Sequence, residues 1–136
     1  MTGQRSTPAR TWLTVPELAV YLRDLLASGD SDDALRFLLD GFNRFAELRE
    51  AEDVEAFLAE PDTVGDLRWD TLLAASAAYV CRRAGVAPPR WSRRESLPQW
   101  WWPGHVYARR ALVVQRTPID FRRVGIWFDE RNFTLA

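Results

Sequence analysis

The chain has 136 residues, enough for one compact domain and too few for two independent ones. Its composition is 47% hydrophobic and 27% charged with one cysteine, which is typical of a globular protein and excludes a disordered chain, a disulfide scaffold and a zinc site built from cysteines. No apolar stretch approaches the roughly 20 residues that span a bilayer, and the first eight residues hold no apolar segment of a signal peptide. The sequence therefore predicts a cytoplasmic protein without a membrane partner.

Charge is unevenly distributed along the chain. Residues 1–68 contain 7 arginines and 14 acidic residues, whereas residues 69–136 contain 11 arginines and 5 acidic residues, so the halves carry net charges of −7 and +6. The total of −1 gives no general attraction to nucleic acid or to anionic lipid. We expect the two halves to attract each other within the fold, with the orientation of a partner as the alternative.

The N-terminal part predicts helices. Residues 1–13 are polar and aperiodic, which predicts a flexible arm followed by a single helical domain over residues 14–136. The first helix begins at Thr14, where a hydroxyl cap, a proline in the first turn and Glu17 three residues on form a capping box. The second begins at Asp30, since acidic residues suit the positive end of the helix dipole.

Gly41 lies inside the second helix, where it costs about 1 kcal/mol relative to alanine, and this predicts a close helix crossing.

Two further helices follow. A short acidic helix is predicted over residues 51–60 and a long central helix over residues 66–84, ended by Gly85. Helical spacing predicts a core containing Leu18, Leu22, Leu25, Leu38, Phe42, Phe45, Trp69, Leu72, Leu73, Tyr79 and Phe121.

Beyond Gly85 the prolines and tryptophans predict a loop. A helix is then expected over residues 105–115, and a short one after Thr117 that Gly125 ends. Residues 126–129 are expected to be extended. The predicted fold is an all-α bundle of about five helices, with a loop rich in tryptophan and proline and a short extended C-terminal tail.

The sequence contains few residues that could carry out catalysis. Nucleophile motifs and phosphate-binding loops are absent, and His105 is the single histidine. Asp129 and Glu130 could transfer protons only if buried, and we expect a solvated surface pair. We therefore predict no catalytic residue, cofactor or metal ion, and a small enzyme using His105, Asp129 and Glu130 is a weaker alternative.

A DNA-binding regulator using residues 14–50 is the second alternative. The segment starting at Thr14 resembles the first helix of many helix-turn-helix repressors. The next helix starts with acidic residues, which repel phosphate, where a recognition helix needs basic or amide side chains. We therefore do not expect nucleic acid to be a tight partner.

The tryptophans and arginines after Arg82 point to a protein interface, because both residue types are enriched at binding hot spots. A core lid beneath a loop and a stacking surface for single-stranded nucleic acid are the alternatives. Several large aromatic residues in a loop held by prolines cannot all reach one small core, so at least one is expected to stay exposed. The predicted partner-binding residues are Arg93, Arg94, Trp100, Trp101, Trp102, Arg109 and Arg110.

A family resemblance rests on four segments, which begin at Gly65, Ala87, Trp101 and Thr117 and read GDLRWDTLLAA, APPRW, WWP and TPIDFRRVGIWFD. In this order they resemble the helical region that follows the DNA-binding domain of small actinobacterial antitoxin-like regulators, over residues 18–136. The resemblance implies a protein that binds and neutralises a partner toxin encoded nearby, such as a nucleotidyltransferase-like toxin. A DNA-binding domain does not precede the helical region in this sequence, which puts operator binding in doubt.

Overall fold

The computed structural model describes residues 10–104 and 110–133. Its first two helices are α1 (Val15–Ala27) and α2 (Ser31–Asn43). The predicted capping box is present, since the Thr14 hydroxyl accepts a hydrogen bond from the Glu17 amide and the Glu17 carboxylate accepts one from the Thr14 amide. Both helix starts lie where the capping residues predict them.

Gly41 marks the contact between α1 and α2. A Cβ atom on Gly41 would lie 2.7 Å from Cδ1 of Leu18, which is fully buried. The predicted close crossing is confirmed, because any side chain at this position collides with the core of α1.

The segment after α2 begins with a 3₁₀ turn (Arg44–Glu47), in which Phe45 is buried as predicted. The acidic helix α3 (Ala51–Phe57) ends before the predicted limit of residue 60, and residues 60–64 adopt no regular secondary structure.

The central helix is α4 (Leu67–Ala84), with Asp66 capping its start and Gly85 adopting φ 72° at its end. Every residue from Thr71 to Cys81 is buried. Helix α4 packs against α2, α6 and the 3₁₀ turn Arg44–Glu47. The core prediction is confirmed for all its members except Leu25, which is partly buried at the edge of the core.

The C-terminal part contains a 3₁₀ turn (Arg90–Ser92), α5 (Arg110–Gln115), α6 (Ile119–Arg122) and a last 3₁₀ turn (Glu130–Asn132). The start of the helix predicted over residues 105–115 lies outside the described residues. The predicted extended tail is present, and it pairs with the tryptophan loop through one parallel β-bridge between Trp101 and Ile126.

The all-α prediction is confirmed, since the described residues are mostly helical and form no strand. Of the predicted N-terminal arm, Trp12 and Leu13 pack against the core, and residues 1–9 lie outside the description. In the described ranges no helix has both the length and the apolar character needed to cross a bilayer.

Candidate partner-binding surface

The tryptophan loop places its three consecutive indoles in different environments. Trp100 is 69% exposed, whereas Trp101 and Trp102 are partly buried. The Trp101 ring meets Trp69 edge-on with centroids 5.5 Å apart, and the Arg68 guanidinium lies 5.1 Å from its centroid. Trp101 therefore acts as a lid on the core, and Trp100 is the member left open to solvent.

We name Trp100, Trp102, Trp127 and Arg110 the tryptophan cluster. The Trp100 ring meets Trp127 edge-on at 5.4 Å and Trp102 at 6.4 Å, and Trp102 and Trp127 lie 6.1 Å apart. The Arg110 guanidinium lies 4.7 Å from the Trp102 ring centroid, within the range of a cation–π contact. The exposed indole is thus held by two other rings.

Long-range backbone bonds hold the cluster in place. The amides of Leu97 and Trp101 donate to the carbonyls of Val124 and Gly125, and the amide of Trp127 donates to the carbonyl of Trp101, each at 2.9 Å. Gly125 adopts φ 83°, a conformation that disfavours other residues, and a Cβ there would lie 3.5 Å from Cδ1 of Trp100. The turn after α6 therefore sets the position of Trp100.

Polar side chains anchor α6 and the tail to the bundle. The buried Asp120 carboxylate accepts hydrogen bonds from Nε and Nη2 of Arg82 in α4, at 2.9 and 2.8 Å. The Thr117 hydroxyl donates to the Val113 carbonyl and accepts from the Phe128 amide. Much of the TPIDFRRVGIWFD segment therefore has a structural role, and it places Trp127 beneath Trp100.

Trp127 is the cluster residue that sequence reasoning missed. The expected extended tail contained it, but nothing in the sequence showed which loop the tail meets. The indole N–H groups of Trp102 and Trp127 are buried and lack an acceptor among the described residues.

Arg93 and Arg94 lie at a different feature, which we name the charged groove. This open groove of about 870 Å³ runs between residues 60–63, the first turns of α4 and residues 93–98. Trp91 lines it and donates from its indole nitrogen to the Leu58 carbonyl at 2.8 Å. The predicted partner-binding set thus divides between the groove, the cluster and the core lid Trp101, with Arg109 outside the described residues.

Of the acid–base residues of the enzyme alternative, His105 lies outside the described residues, whereas Asp129 and Glu130 are described. Asp129 is buried, which corrects the expected solvated pair, while Glu130 is exposed. Burial opposes ionisation of Asp129, but hydrogen bonds from the Arg131 backbone and side chain and the charge of Arg116 outweigh it and lower its pKa. Asp129 is therefore an ion-paired structural carboxylate.

The single cysteine, Cys81, is buried in α4. Burial raises the pKa of the Cys81 thiol to about 11, which keeps it protonated and unreactive. In the described ranges no three histidine, cysteine or acidic side chains are placed to hold a metal ion.

In the DNA-binding alternative, the second helix of the segment, α2, begins with acidic residues. Asp32 and Asp33 occupy the first turn of α2, and the hydrogen bond and charge of Asp30 raise the pKa of Asp33. Carboxylates crowded at this helix end disfavour phosphate. DNA binding by residues 14–50 stays an alternative, and the expectation that nucleic acid is not a tight partner stays a prediction.

The ion pairs of the described residues do not test the expected attraction between the two halves of the chain. Each ion pair within the described ranges joins two residues of the same half, as in Arg44–Glu47 and Arg82–Asp120. The attraction between the two halves therefore stays a prediction.

Comparison of the chain with protein-family models, with curated proteins and with solved structures finds no match. The resemblance to antitoxin-like regulators accordingly stays a prediction.

Proposed function

We propose that the protein is an antitoxin-like interaction module that binds a partner protein through the tryptophan cluster and neutralises it by occlusion. The partner class, a toxin such as a nucleotidyltransferase-like toxin, comes from the resemblance of the four sequence segments. The observation that carries the interaction is the 69% exposed Trp100 side chain, held by Trp102 and Trp127.

Physical chemistry favours this use of Trp100. Tryptophan and arginine dominate binding hot spots, and an exposed indole buries a large apolar area when a partner covers it. Because ring contacts and backbone bonds already restrict Trp100, binding loses little conformational entropy. Arg110 adds a charge at the edge of the same patch.

Co-expression with the protein encoded by the neighbouring reading frame tests the proposal. We expect the two proteins to co-purify and this chain to rescue growth inhibited by its neighbour. Trp100→Ala should abolish rescue without lowering the unfolding temperature, since a side chain this exposed contributes little to the core.

Tyr21→Ala is the matched control, because Tyr21 is 53% exposed on α1 and does not belong to the cluster. The Tyr21→Ala variant should rescue growth as well as the parent chain does. Rescue by Trp100→Ala at parental level, or no complex with the neighbouring protein, would contradict the proposal. Trp101→Ala is a poor probe because loss of its contact with Trp69 opens the core.

A further inference from the structure

We propose that a pocket beside Trp100 receives a large apolar side chain of the partner protein, and that acidic residues flank this side chain in the partner. The pocket lies between α2, α5, the end of the tryptophan loop and residues 127–132, and we name it the cluster pocket. The inference deepens the proposed function and rests on it in one respect, because it assigns the occupant to the protein bound at the tryptophan cluster.

The cluster pocket adjoins the exposed indole. Trp102 and Trp127 line it, and the same two rings contact the Trp100 ring, with centroids 6.4 and 5.4 Å apart. Its volume of about 410 Å³ lies within the roughly 300–1,000 Å³ that ligand pockets commonly have. A partner that covers Trp100 therefore lies next to an open pocket with room for a large side chain.

Much of the pocket lining is apolar. Besides the two indoles, it includes Leu35 from α2, Val113 from α5 and Phe128. Val113 and Phe128 are buried and Leu35 is partly buried, so packing in the bundle holds these side chains in place. An apolar side chain that enters the pocket leaves water for this surface, and anchors seated in such pockets commonly dominate the affinity of an interface.

The carboxylate that lines the described part of the pocket belongs to Asp129 and is already paired. Its Oδ1 accepts a hydrogen bond from the Arg131 amide at 2.9 Å. Its Oδ2 lies 3.1 Å from Nη2 of Arg131 and 3.6 Å from Nη1 of Arg116. The neighbouring Glu130 is exposed and does not line the pocket. A basic side chain of a partner is therefore not the favoured occupant.

The edge of the pocket is basic. Arg131 lines it with a side chain that is 66% exposed, and the exposed Arg110 lies 4.7 Å from the Trp102 ring centroid. Arg110 makes no ion pair within residues 10–104 and 110–133, and Arg116 and Arg131 share the charge of Asp129. Three guanidinium groups and one carboxylate leave a net charge of +2, which acidic side chains of a partner complement.

Selection from a random peptide library displayed on phage, with the full chain as bait, tests the inference without the natural partner. We expect enriched peptides to place a large apolar residue next to acidic residues. Replacing that apolar residue by alanine in the best synthetic peptide should weaken binding by about tenfold or more, because the anchor is lost. Replacing the acidic residues by glutamine should weaken binding about fivefold and remove most of its salt dependence.

The indole N–H signals in an NMR spectrum locate the bound peptide. Each signal is assigned by replacing one tryptophan with phenylalanine. The signals of the three cluster tryptophans should shift when the peptide binds. The signal of Trp91, whose indole donates to the Leu58 carbonyl beside the charged groove, should stay in place and serves as the internal control.

Two variants of the chain test the basic edge. Arg110→Glu should weaken the peptide by about tenfold, because it replaces attraction by repulsion. Asn132→Asp adds a negative charge at an exposed residue that lines the pocket, and it should weaken the peptide too. Arg23→Glu is the matched control, since it makes the same charge reversal at an exposed position of α1 outside the pocket, and it should bind within about twofold of the parent chain. Unfolding temperatures check that each variant is folded.

The inference is overturned if the enriched peptides lack acidic residues, if none is enriched, or if Arg110→Glu and Asn132→Asp bind as tightly as the parent chain. A shift of the Trp91 signal in place of the cluster signals would also overturn it. Dimerisation of the chain that Arg110→Glu abolishes would assign the pocket to a second copy and not to a partner. The absence of a complex with the neighbouring protein would contradict the proposed function and leave the peptide result standing.

Discussion

Residues 14–84 and residues 85–133 are stabilised by contacts of different range. In the first region, helix caps join residues two or three positions apart, such as Thr14 with Glu17 and Asp66 with Arg68. In the second, the indole of Trp91 reaches the Leu58 carbonyl across 33 positions and Arg82 reaches Asp120 across 38. The first region forms a local helical frame, whereas the second acquires its shape only by docking on that frame.

Because of this difference, the residues that stabilise the fold and those that form the candidate surfaces lie mostly in different regions. The candidate surfaces both involve the second region, where loops and exposed side chains remain after docking. Loops positioned by a rigid scaffold commonly carry binding sites, because their side chains are not needed for the core. Variants in the two regions should therefore have different consequences.

The largest effect is expected in the central helix. Leu73→Ala removes a side chain that is 1% exposed in α4 and should lower the free energy of unfolding by about 2–5 kcal/mol. Since both regions pack on α4, denaturant unfolding followed by circular dichroism and by tryptophan fluorescence should shift together. A loss below about half a kcal/mol would place this face of α4 outside the core.

The crossing of α1 and α2 should tolerate no side chain at residue 41. Gly41→Val is expected to lower the free energy of unfolding by about 1–3 kcal/mol, because its Cβ would overlap the Leu18 side chain. In a Leu18→Ala background, the added penalty of Gly41→Val should largely vanish. A double-mutant cycle measures this coupling, and additive losses would show that the contact is not the cause.

The docking of the second region can be weakened without a change in the first region. Asp120→Asn removes the charge that binds Arg82, and we expect a loss of about 1–2 kcal/mol, reduced because the Arg82 side chain is half exposed. Amide hydrogen exchange should accelerate at Leu97, Trp101 and Trp127 and stay unchanged in α1. Asp62→Asn, a control at an exposed residue, should change neither the free energy of unfolding nor the exchange rates. Equal acceleration of exchange in α1 after Asp120→Asn would refute the distinction between the regions.

The smallest effect is a pH dependence at the tail. Burial opposes ionisation of Asp129, but its Arg131 and Arg116 partners prevail and hold its folded-state pKa below 3.8, the ordinary value that applies in the unfolded chain. Asp129 therefore adds stability above that ordinary value, and this stability is lost as pH falls from roughly 5 through the lowered folded-state pKa.

Asp129→Asn tests this pH dependence. Thermal unfolding at a series of pH values should give a flatter acid limb for the variant than for the parent chain. Glu17, whose pKa is also lowered by its bonds with Thr14, is unchanged in both proteins and cancels in the comparison. Identical acid limbs would show that the arginines do not stabilise the ionised Asp129.

The sequence by itself determined the helical frame. Capping residues at Thr14, Asp30 and Asp66 and the glycine stop at Gly85 act on neighbours within one turn, so their effect can be derived from local spacing. The buried face of α4 followed from a period of 3.6 residues. The sequence also established that the three consecutive tryptophans could not all be buried, because their number exceeds what one small core accepts.

The tertiary structure alone decided how those tryptophans are used. Three features depend on where residues 93–101 meet residues 124–127. These are the exposure of Trp100, the position of Trp127 beside it, and the separate groove that Arg93 and Arg94 line. The ionic partners of Asp120 and Asp129 depend on the same docking. Long-range pairings of this kind have no period and no local spacing, because their energy comes from groups that only the folded chain brings together.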